Sequence, residues 1–515
     1  MSRNTGLMID TLYQQLLTLS RNPRYGLDSL RSEWGRTNGE LYNSKKLSFC
    51  RGIRELAKDC PVKWYNGSFY LFNGVIYERC DDDVVKQAYR LLLEGLALAR
   101  MVDNVTVMRD VFLATIKLYN VLSPQFDVVA FKNGVVDFGT NRTDPQVMPF
   151  GPEWHVIYYH PYDFDPKAKC LRWQSFLHEM LPDKTSRLIL QMFLGLGLVQ
   201  RGDAYNKYDG KTTSKIELCL ILLGTGKNGK SVVYEVMSAL FGKERISSMD
   251  YGALTAQGDE GMRGRFPIRN AIFNWSMDSD AKKFGRGDNG MFKRLVSGEP
   301  VPMRELGKNI LETRRLPYMI FNMNELPFSE DASFGFIRRL QFVSFNVVVP
   351  KEKEDKALSS KIVSSELSGV FNWVLRGAQE LRKRRFVFPE SDLNDRQKLL
   401  SLMSSQPITA WVAAYGMRPG KEAQNEIGVE IPAAKMYTSF TTFCRDNDVD
   451  ERDIPSIQRF GRLMRDKERF FKRKTPSGMV YKVYGATEDR IMEQVLLSEL
   501  PVKKEDSESF IRDDD

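Results

Sequence analysis

Histidine and cysteine are scarce in this chain of 515 residues, which has three of the first and six of the second. The cysteines (Cys50, Cys60, Cys80, Cys170, Cys219 and Cys444) are scattered with no C-x-x-C pair, and His155, His160 and His178 lie near no cysteine cluster. This excludes a structural zinc site and a disulfide framework, and fits a reducing cytoplasm. No apolar run approaches the roughly 18 residues of a membrane span, so no membrane partner is expected. The start of the chain enters a polar, helix-like segment without the apolar core of a signal peptide. No internal repeat is present. With 42% hydrophobic and 27% charged residues, 22 prolines and 37 glycines, the composition rules out wholesale disorder, collagen and coiled coil. Lysine and arginine number 75 against 66 aspartates and glutamates, a net charge of +9 that suits a polyanionic partner.

The length suggests several domains, at roughly 100–200 residues each. Residues 1–60 read as a basic helical segment. Residues 61–205 read as an α+β region, with aromatic and β-branched residues around two Asn-Gly turns from Trp64 to Tyr77 and a second strand–turn–strand from Val128 to Phe138. Leu171 to Val199 predicts a helix pair at the entrance to the next domain. Residues 206–350 alternate strand and helix signals, as an α/β domain with a largely parallel sheet does. Helices are predicted over 351–405, and two helices and a hairpin over 406–490. Residues 491–515 are acidic with almost nothing apolar and are expected to be disordered.

The sharpest signal is Gly224-Thr225-Gly226-Lys227-Asn228-Gly229-Lys230-Ser231, a full G-x-x-x-x-G-K-[ST] match. An apolar run, Ile216 to Leu223, precedes it, and helical periodicity follows from Ser231 to Phe241. The residue types suit the chemistry. Glycines let successive N–H groups face one concavity, and a helix N-terminus adds positive potential. Lys230 would reach the β- and γ-phosphates, and the Ser231 hydroxyl would ligate Mg²⁺.

Such a loop needs a carboxylate at the end of a neighbouring strand. Ala271 to Asp280 offers Asp278 as the metal-side carboxylate, with Asp280 second. Leu316 to Pro327 reads as a buried strand ending in polar residues, where Asn324 or Asn322 would orient the attacking water without titrating. Arg338 and Arg339 precede another apolar strand. They read either as salt-bridge partners or as an arginine finger presented to a neighbouring subunit. Asn206-Lys-Tyr-Asp209 has the form of a guanine-reading N-K-x-D motif but precedes the phosphate loop instead of following it; it reads as a surface turn, and ATP is the expected nucleotide.

The Asn-Gly-Lys-Ser form of residues 228–231 resembles superfamily-3 helicases, and more narrowly the poxvirus-type and phage/plasmid-type primase-helicase family. Phe131 to Phe138 and Tyr162 to Pro166 resemble that family's pre-helicase domain. Phe292 to Asn309 resembles its distinctive motif, Asn324 to Pro327 its sensor, Arg338-Arg339 its finger, and Glu366 to Gly377 the helical segment that follows. The likeness covers residues 60–490 with the motifs in order. One departure is Ser276, where the family usually has a glutamate. The resemblance implies an α/β fold: an AAA+-like P-loop ATPase core with a helical N-terminal domain and a C-terminal winged-helix-like domain. It implies Lys230, Asp278, Asn324 and Arg339 as catalytic residues and ATP with Mg²⁺ as cofactors. The segment from Val301 to Arg315 reads as a hairpin turning at Gly307-Lys308-Asn309. In a ring, the resemblance implies, Lys308 at its tip, with Arg304 and Asn309, would contact a DNA backbone. Some 60 residues upstream are too few for a primase domain, so no primer synthesis is expected, and a primase would be a separate partner.

From Glu451 to Tyr484 basic residues outnumber acidic ones around a helix and a hairpin, a second nucleic-acid signal. The expected function is that of a ring-forming, ATP-dependent DNA helicase, a hexamer acting on single-stranded or forked DNA in phage or plasmid replication within the bacterial cytoplasm. The alternative is a DNA-binding replication initiator or scaffold that uses ATP only to assemble.

Overall fold

The computed structural model describes residues 3–484 except 28–38, 97–104, 125–127, 140–144, 200–215, 328–333 and 420–427, and positions 282, 286, 308, 314–315, 351, 353, 448, 450, 452–453, 467 and 477. The turn at Asn206–Asp209, Lys308 at the hairpin tip and the acidic tail therefore lie outside the described residues. No helix among the described residues is long and apolar enough to cross a membrane.

The chain is a mixed α/β structure. At its start, α1 (Arg3–Ser20), α2 (Gly39–Lys58), α3 (Asp82–Gly95) and α4 (Val105–Tyr119) enclose a three-stranded meander, β1 (Lys63–Tyr65), β2 (Ser68–Phe72) and β3 (Tyr77–Cys80). Leu12, Leu16, Ile53, Leu56, Leu92, Phe112 and Ile116 share one core with Phe69 and Leu71 of β2. The first Asn-Gly turn also reaches far along the chain, since Asn66 Nδ2 donates to the carbonyl of Arg269 at 2.6 Å.

A second small sheet holds β4 (Val128–Phe131), β5 (Gly134–Asp137), β6 (Val147–Met148) and β7 (Tyr159–His160) in the order β6-β5-β4-β7. It brings together three stretches singled out in the sequence. Asn133 exchanges two 3.0 Å bonds with the backbone of Phe164. Asn372 Nδ2 donates to the carbonyl of Asp165 at 2.9 Å. Phe371 meets Phe131 edge-on at 4.8 Å. Residues 131–138, 162–166 and 366–377 thus form one aromatic cluster whose polar members satisfy backbone groups, a packing role that their spacing does not reveal.

The third layer is a parallel sheet of β8 (Cys219–Leu223), β9 (Ile246–Ser247), β10 (Phe273–Ser276), β13 (Tyr318–Met323) and β14 (Leu340–Ser344), in the order β14-β8-β13-β10-β9. Between β10 and β13 runs an antiparallel hairpin, β11 (Val301–Met303) with β12 (Leu311–Thr313). β8 is buried along its whole length because both faces of the sheet are covered. Leu220 and Leu222 face a core with α6 (Lys184–Gly195), α7 (Lys230–Phe241) and α13 (Leu367–Lys383). Cys219, Ile221 and Leu223 face the opposite core, with Tyr251, Phe292 and Leu295. On α7 the buried residues Val233, Val236, Met237, Leu240 and Phe241 fall at i, i+3, i+4, i+7 and i+8. That spacing makes one apolar stripe, and each such side chain contributes about 1.5–3 kcal/mol on burial. Two more helices follow β14: α12 (Leu358–Ser365) and α14 (Asp392–Ser405) flank α13 in sequence.

Residues 407–484 form the last unit: α15 (Pro407–Ala414), β15 (Arg418–Pro419), β16 (Val429–Pro432), α16 (Ala433–Asp446), α17 (Ile457–Asp466), β17 (Lys472–Thr475) and β18 (Gly478–Tyr484). β18 pairs antiparallel with β15, β16 and β17. Here the structure departs from the expectation of two helices and a hairpin. It has a third helix, α15, and two further short strands, β15 and β16.

Candidate functional site

The phosphate-loop motif occupies the turn between β8 and α7, at the carboxyl end of the parallel sheet, where open α/β folds bind ligands. Its backbone needs glycine. Gly226 and Gly229 have φ of +104° and +83°. A Cβ on Gly229 would sit 2.6 Å from the Phe176 ring, so any side chain there is excluded twice, by conformation and by contact. Gly229 caps α7, leaving the first N–H groups of that helix facing the turn.

Asn228 fastens the loop. It is 2% exposed, and its Nδ2 donates to the carbonyl of Phe345, just past β14, at 3.0 Å. The backbone adds two ties, from Gly224 N to Met323 O at 3.0 Å and from Val349 N to Lys227 O at 3.1 Å. Lys230 donates to the carbonyl of Gly224 and, at 3.2 Å, to Asn228 Oδ1. Burial pulls the Lys230 ammonium below its ordinary pKa, and the charge of Asp278 opposes that shift. The two residues therefore feel each other's charge across the site.

An open pocket of about 1040 Å³ lies over this loop. It is lined by Gly226, Lys227, Asn228, Gly229, Lys230 and Ser231, and it also takes in Asp278, Asn322 and Asn324. Three segments separated by some tens of residues therefore converge where the sequence had paired them. Gly224 and Thr225 form the root of the loop and are not in the lining. Asp278 is exposed just beyond the end of β10. Asp280 lies outside the lining and pairs with Lys283 at 3.7 Å. Asn322 is tied down, since its Oδ1 accepts from Trp275 Nε1 at 2.9 Å, whereas Asn324 is exposed. Of the two asparagines, Asn324 has the freer amide. Ser276, in the place of the usual glutamate, is buried and accepts from Ser279 Oγ at 2.9 Å, so it offers no carboxylate to the pocket.

Arg339, one of the two arginines expected as a finger, is held within the fold. Its guanidinium is not displayed at the surface. It donates to Glu217 Oε2 at 2.6 Å and to the carbonyl of Gly335 at 2.6 Å, and the residue is 9% exposed. Arg338 is the exposed member, with 56% of its side chain accessible and its Nη2 3.7 Å from the same Glu217. Arg304 is likewise committed to structure, since it pairs with Asp259 at 2.9 Å and anchors the base of the β11–β12 hairpin to α9 (Gly258–Arg265). At the hairpin's end Leu306, Asn309 and Ile310 are exposed, with Gly307 at φ +75°.

The opposite wall of the pocket has no signature in the sequence. It is made by α5 (Leu171–Met180), through Arg172, Phe176 and Glu179, and by the approach to α12, through Lys356, Leu358 and Lys361. Glu366 holds these two parts together. Its carboxylate accepts from the N–H groups of Arg172 at 3.1 Å and Trp173 at 3.2 Å, capping α5 from 193 residues away. No group of three or more His, Cys, Asp or Glu side chains able to hold a metal occurs among the described residues.

Residues 222–339, from β8 through the loop to Arg339, match a family of unknown function, DUF5906, and residues 112–182 match the family described as D5 N terminal like. A protein of Invertebrate iridescent virus 3 named "Putative helicase 121R" is 21% identical over 311 residues, which is 58% of this chain and 29% of that protein. The chain thus spans less than a third of that relative. Two apo structures of the NrS-1 C-terminal region (305–718) each cover 84% of this chain, at 10% identity and TM-scores of 0.41 and 0.42, and 98% and 99% of their own length. The two family matches together span less than half of the chain.

Proposed function

We propose that this chain is an ATP-dependent DNA helicase of a phage, viral or plasmid replication system that works as a ring of identical subunits, a hexamer, on single-stranded DNA. The observation that carries the reading is the single pocket shared by Lys230, Ser231, Asp278 and Asn324 at the carboxyl end of a parallel sheet. The strand order β14-β8-β13-β10-β9, with β13 between the loop strand and the Asp278 strand, supports an AAA+-like P-loop core. The helix–strand–helix–helix–hairpin order of residues 407–484 supports a winged-helix-like unit at its end. The similarity to a viral helicase by name supports the activity.

In this reading the N–H groups of residues 226–231 cradle the phosphates of ATP, and Lys230 reaches the β- and γ-oxygens. The donor set fits Mg²⁺, a hard cation that takes one or two protein oxygens beside substrate phosphates: the Ser231 hydroxyl and the Asp278 carboxylate line the same pocket. Mg²⁺ neutralises charge on the β- and γ-oxygens when bound. Asn324 holds the attacking water by hydrogen bonding. Arg338 replaces Arg339 as the finger reaching a neighbour's ATP, with Arg339 and Glu217 as its support. The β11–β12 hairpin carries Lys308 to a backbone phosphate in the channel, and the nucleotide state shifts the hairpin along it.

The test is steady-state ATP hydrolysis with and without single-stranded DNA, together with strand displacement on a forked duplex. We expect stimulated hydrolysis and displacement for the natural chain, neither for Lys230→Ala, and hydrolysis without displacement for Lys308→Ala. Slow turnover that DNA does not stimulate, with no displaced strand, would refute the motor and favour an ATP-assembled initiator. Normal unwinding by the Lys308 variant would refute the hairpin's role alone.

A further inference from the structure

We infer that the C-terminal unit carries a second nucleic-acid surface, built from α17 and the β17–β18 hairpin, that docks on double-stranded DNA. The buried side of the unit belongs to the core that also covers one face of the parallel sheet. Trp411, Phe440 and Phe460 pack with ring centroids 5.1–5.8 Å apart, over Met464 and Tyr481. From α17, Phe460 and Met464 point into that core. The opposite arc of the helix carries Gln458, Arg459, Arg462 and Arg465, all exposed. The arginines are spaced i, i+3, i+6 and form one stripe.

The hairpin continues this stripe. Lys472 and Lys474 are exposed on β17 and, being two apart, share one side of the strand. The helix and the strand touch at Gly461, where an added Cβ would lie 2.8 Å from Lys472 Nζ. Glycine there lets the lysine lie against the helix, so five cations form one face. Its one carboxylate, Asp466, is taken by Arg465 at 2.8 Å. Arg459, Arg462 and Lys474 have no ion-pair partner among the described residues. Arg473 points to the other side of the strand and pairs with Glu430.

This chemistry favours a duplex over the alternatives. A protein partner would ask for apolar or aromatic anchors at the centre of the patch, and the centre here is long cationic side chains. Single strands are held by stacking successive bases on a row of exposed aromatic rings; here the ring beneath Lys472, Tyr481, is fully buried, and Phe471, next to Lys472 in the chain, is a lone exposed ring beside the cations. A ten-residue helix is about 15 Å long, and its exposed arginines suit a major groove about 12 Å wide, with the hairpin lysines beside it on the phosphates. The inference is independent of the motor reading, since it concerns a surface remote in sequence from the ATP loop and needs no nucleotide.

The experiment uses the full chain without nucleotide and measures fluorescence anisotropy on a short blunt duplex and on oligo-dT of equal length, each over a salt titration. We expect Arg459→Ala/Arg462→Ala and Lys472→Ala/Lys474→Ala each to weaken duplex binding about tenfold or more, and to lower the slope of log affinity against log salt by about 2. Oligo-dT binding and basal ATP hydrolysis should stay within about twofold. Arg459→Lys/Arg462→Lys should keep most of the duplex affinity, which a loss caused by misfolding would not allow. Duplex affinity unchanged in both alanine pairs, an equal loss on oligo-dT, or binding of an acidic protein in place of the duplex would overturn the proposal. If ATP hydrolysis fails in the natural chain while the duplex result holds, the motor reading falls and this one stands.

Discussion

Arg339, at the start of β14, donates to Glu217, just ahead of β8, at 2.6 Å, and so clasps two adjacent parallel strands where both enter the sheet. The pair is mostly buried on the arginine side and partly open on the glutamate side. Removing the arginine leaves Glu217 without its nearest cation and frees the Gly335 carbonyl. We expect Arg339→Ala to lower stability by about 2 kcal/mol, read as a shift in the urea midpoint; the estimate is below the fully buried range because Glu217 is part-exposed. Arg338→Ala should leave the midpoint alone and abolish hydrolysis in the assembled ring. The opposite pattern, a stable but inactive Arg339 variant beside a fully active Arg338 variant, would return the finger to Arg339.

The two arginines also mark what a sequence can and cannot show here. The phosphate loop was legible because its chemistry is local: eight consecutive residues, an apolar strand before them and a periodic helix after. Asp278 and Asn324 were legible as polar residues ending apolar runs. Which of two neighbouring residues is exposed was not, because Arg338 and Arg339 differ only in the direction each side chain leaves the backbone. The pocket's far wall was invisible for another reason. Glu366 and α5 meet only in the folded chain, and neither segment carries a pattern peculiar to a ligand site. Within 131–138, 162–166 and 366–377, likewise, the motifs were visible, but their joint aromatic packing depends on contacts more than 200 residues apart.

Asp278 and Asp280 can be separated by one comparison. Only Asp278 lines the pocket, and Lys230 senses its charge, while Asp280 is engaged with Lys283. We expect Asp278→Asn to cut kcat by roughly 10²-fold or more, as loss of a metal-side carboxylate does, with part of the loss recovered at high Mg²⁺. Asp280→Asn should change kcat less than about twofold. Equal losses from both would show that the loop after β10 acts as a unit.

Glu366 offers a test of the pocket's far wall that avoids every residue assigned to phosphate chemistry. Its carboxylate caps α5, and Phe176 of that helix abuts Gly229 of the loop. Glu366→Ala should lower stability by about 1–2 kcal/mol through loss of the cap. Because the loosened helix forms one side of the pocket over the phosphate-loop motif, the proposed function predicts that KM for ATP rises several-fold with kcat little changed. Glu366→Gln, which keeps one acceptor oxygen but puts an NH2 donor where the second N–H now finds an oxygen, should fall between. A change in kcat with KM constant would place Glu366 nearer the chemistry than its contacts indicate.

His160 should make the fold acid-sensitive. The residue is 1% exposed on β7, stacked on Phe131 at 5.3 Å, with Nδ1 against the carbonyl of Leu240 and Nε2 buried without a partner. Burial and the neighbouring Arg245 guanidinium lower its pKa from 6.5 to about 3, against the Leu240 hydrogen bond, which raises it. The folded chain therefore refuses a proton that the unfolded chain accepts. This contribution to stability is complete above the unfolded value of 6.5 and is lost as pH falls toward 3. The slope is about 1.4 kcal/mol per pH unit, so roughly 2 kcal/mol disappears between pH 7 and pH 5. His160→Gln can keep a donor for Leu240 but cannot titrate. Urea unfolding at a series of pH values should show the natural chain losing stability faster than the variant by that amount below pH 6.5, while the carboxylates common to both cancel in the difference. Parallel curves would mean that His160 is protonated in the fold, with water or a rearranged Tyr162 hydroxyl serving its second nitrogen.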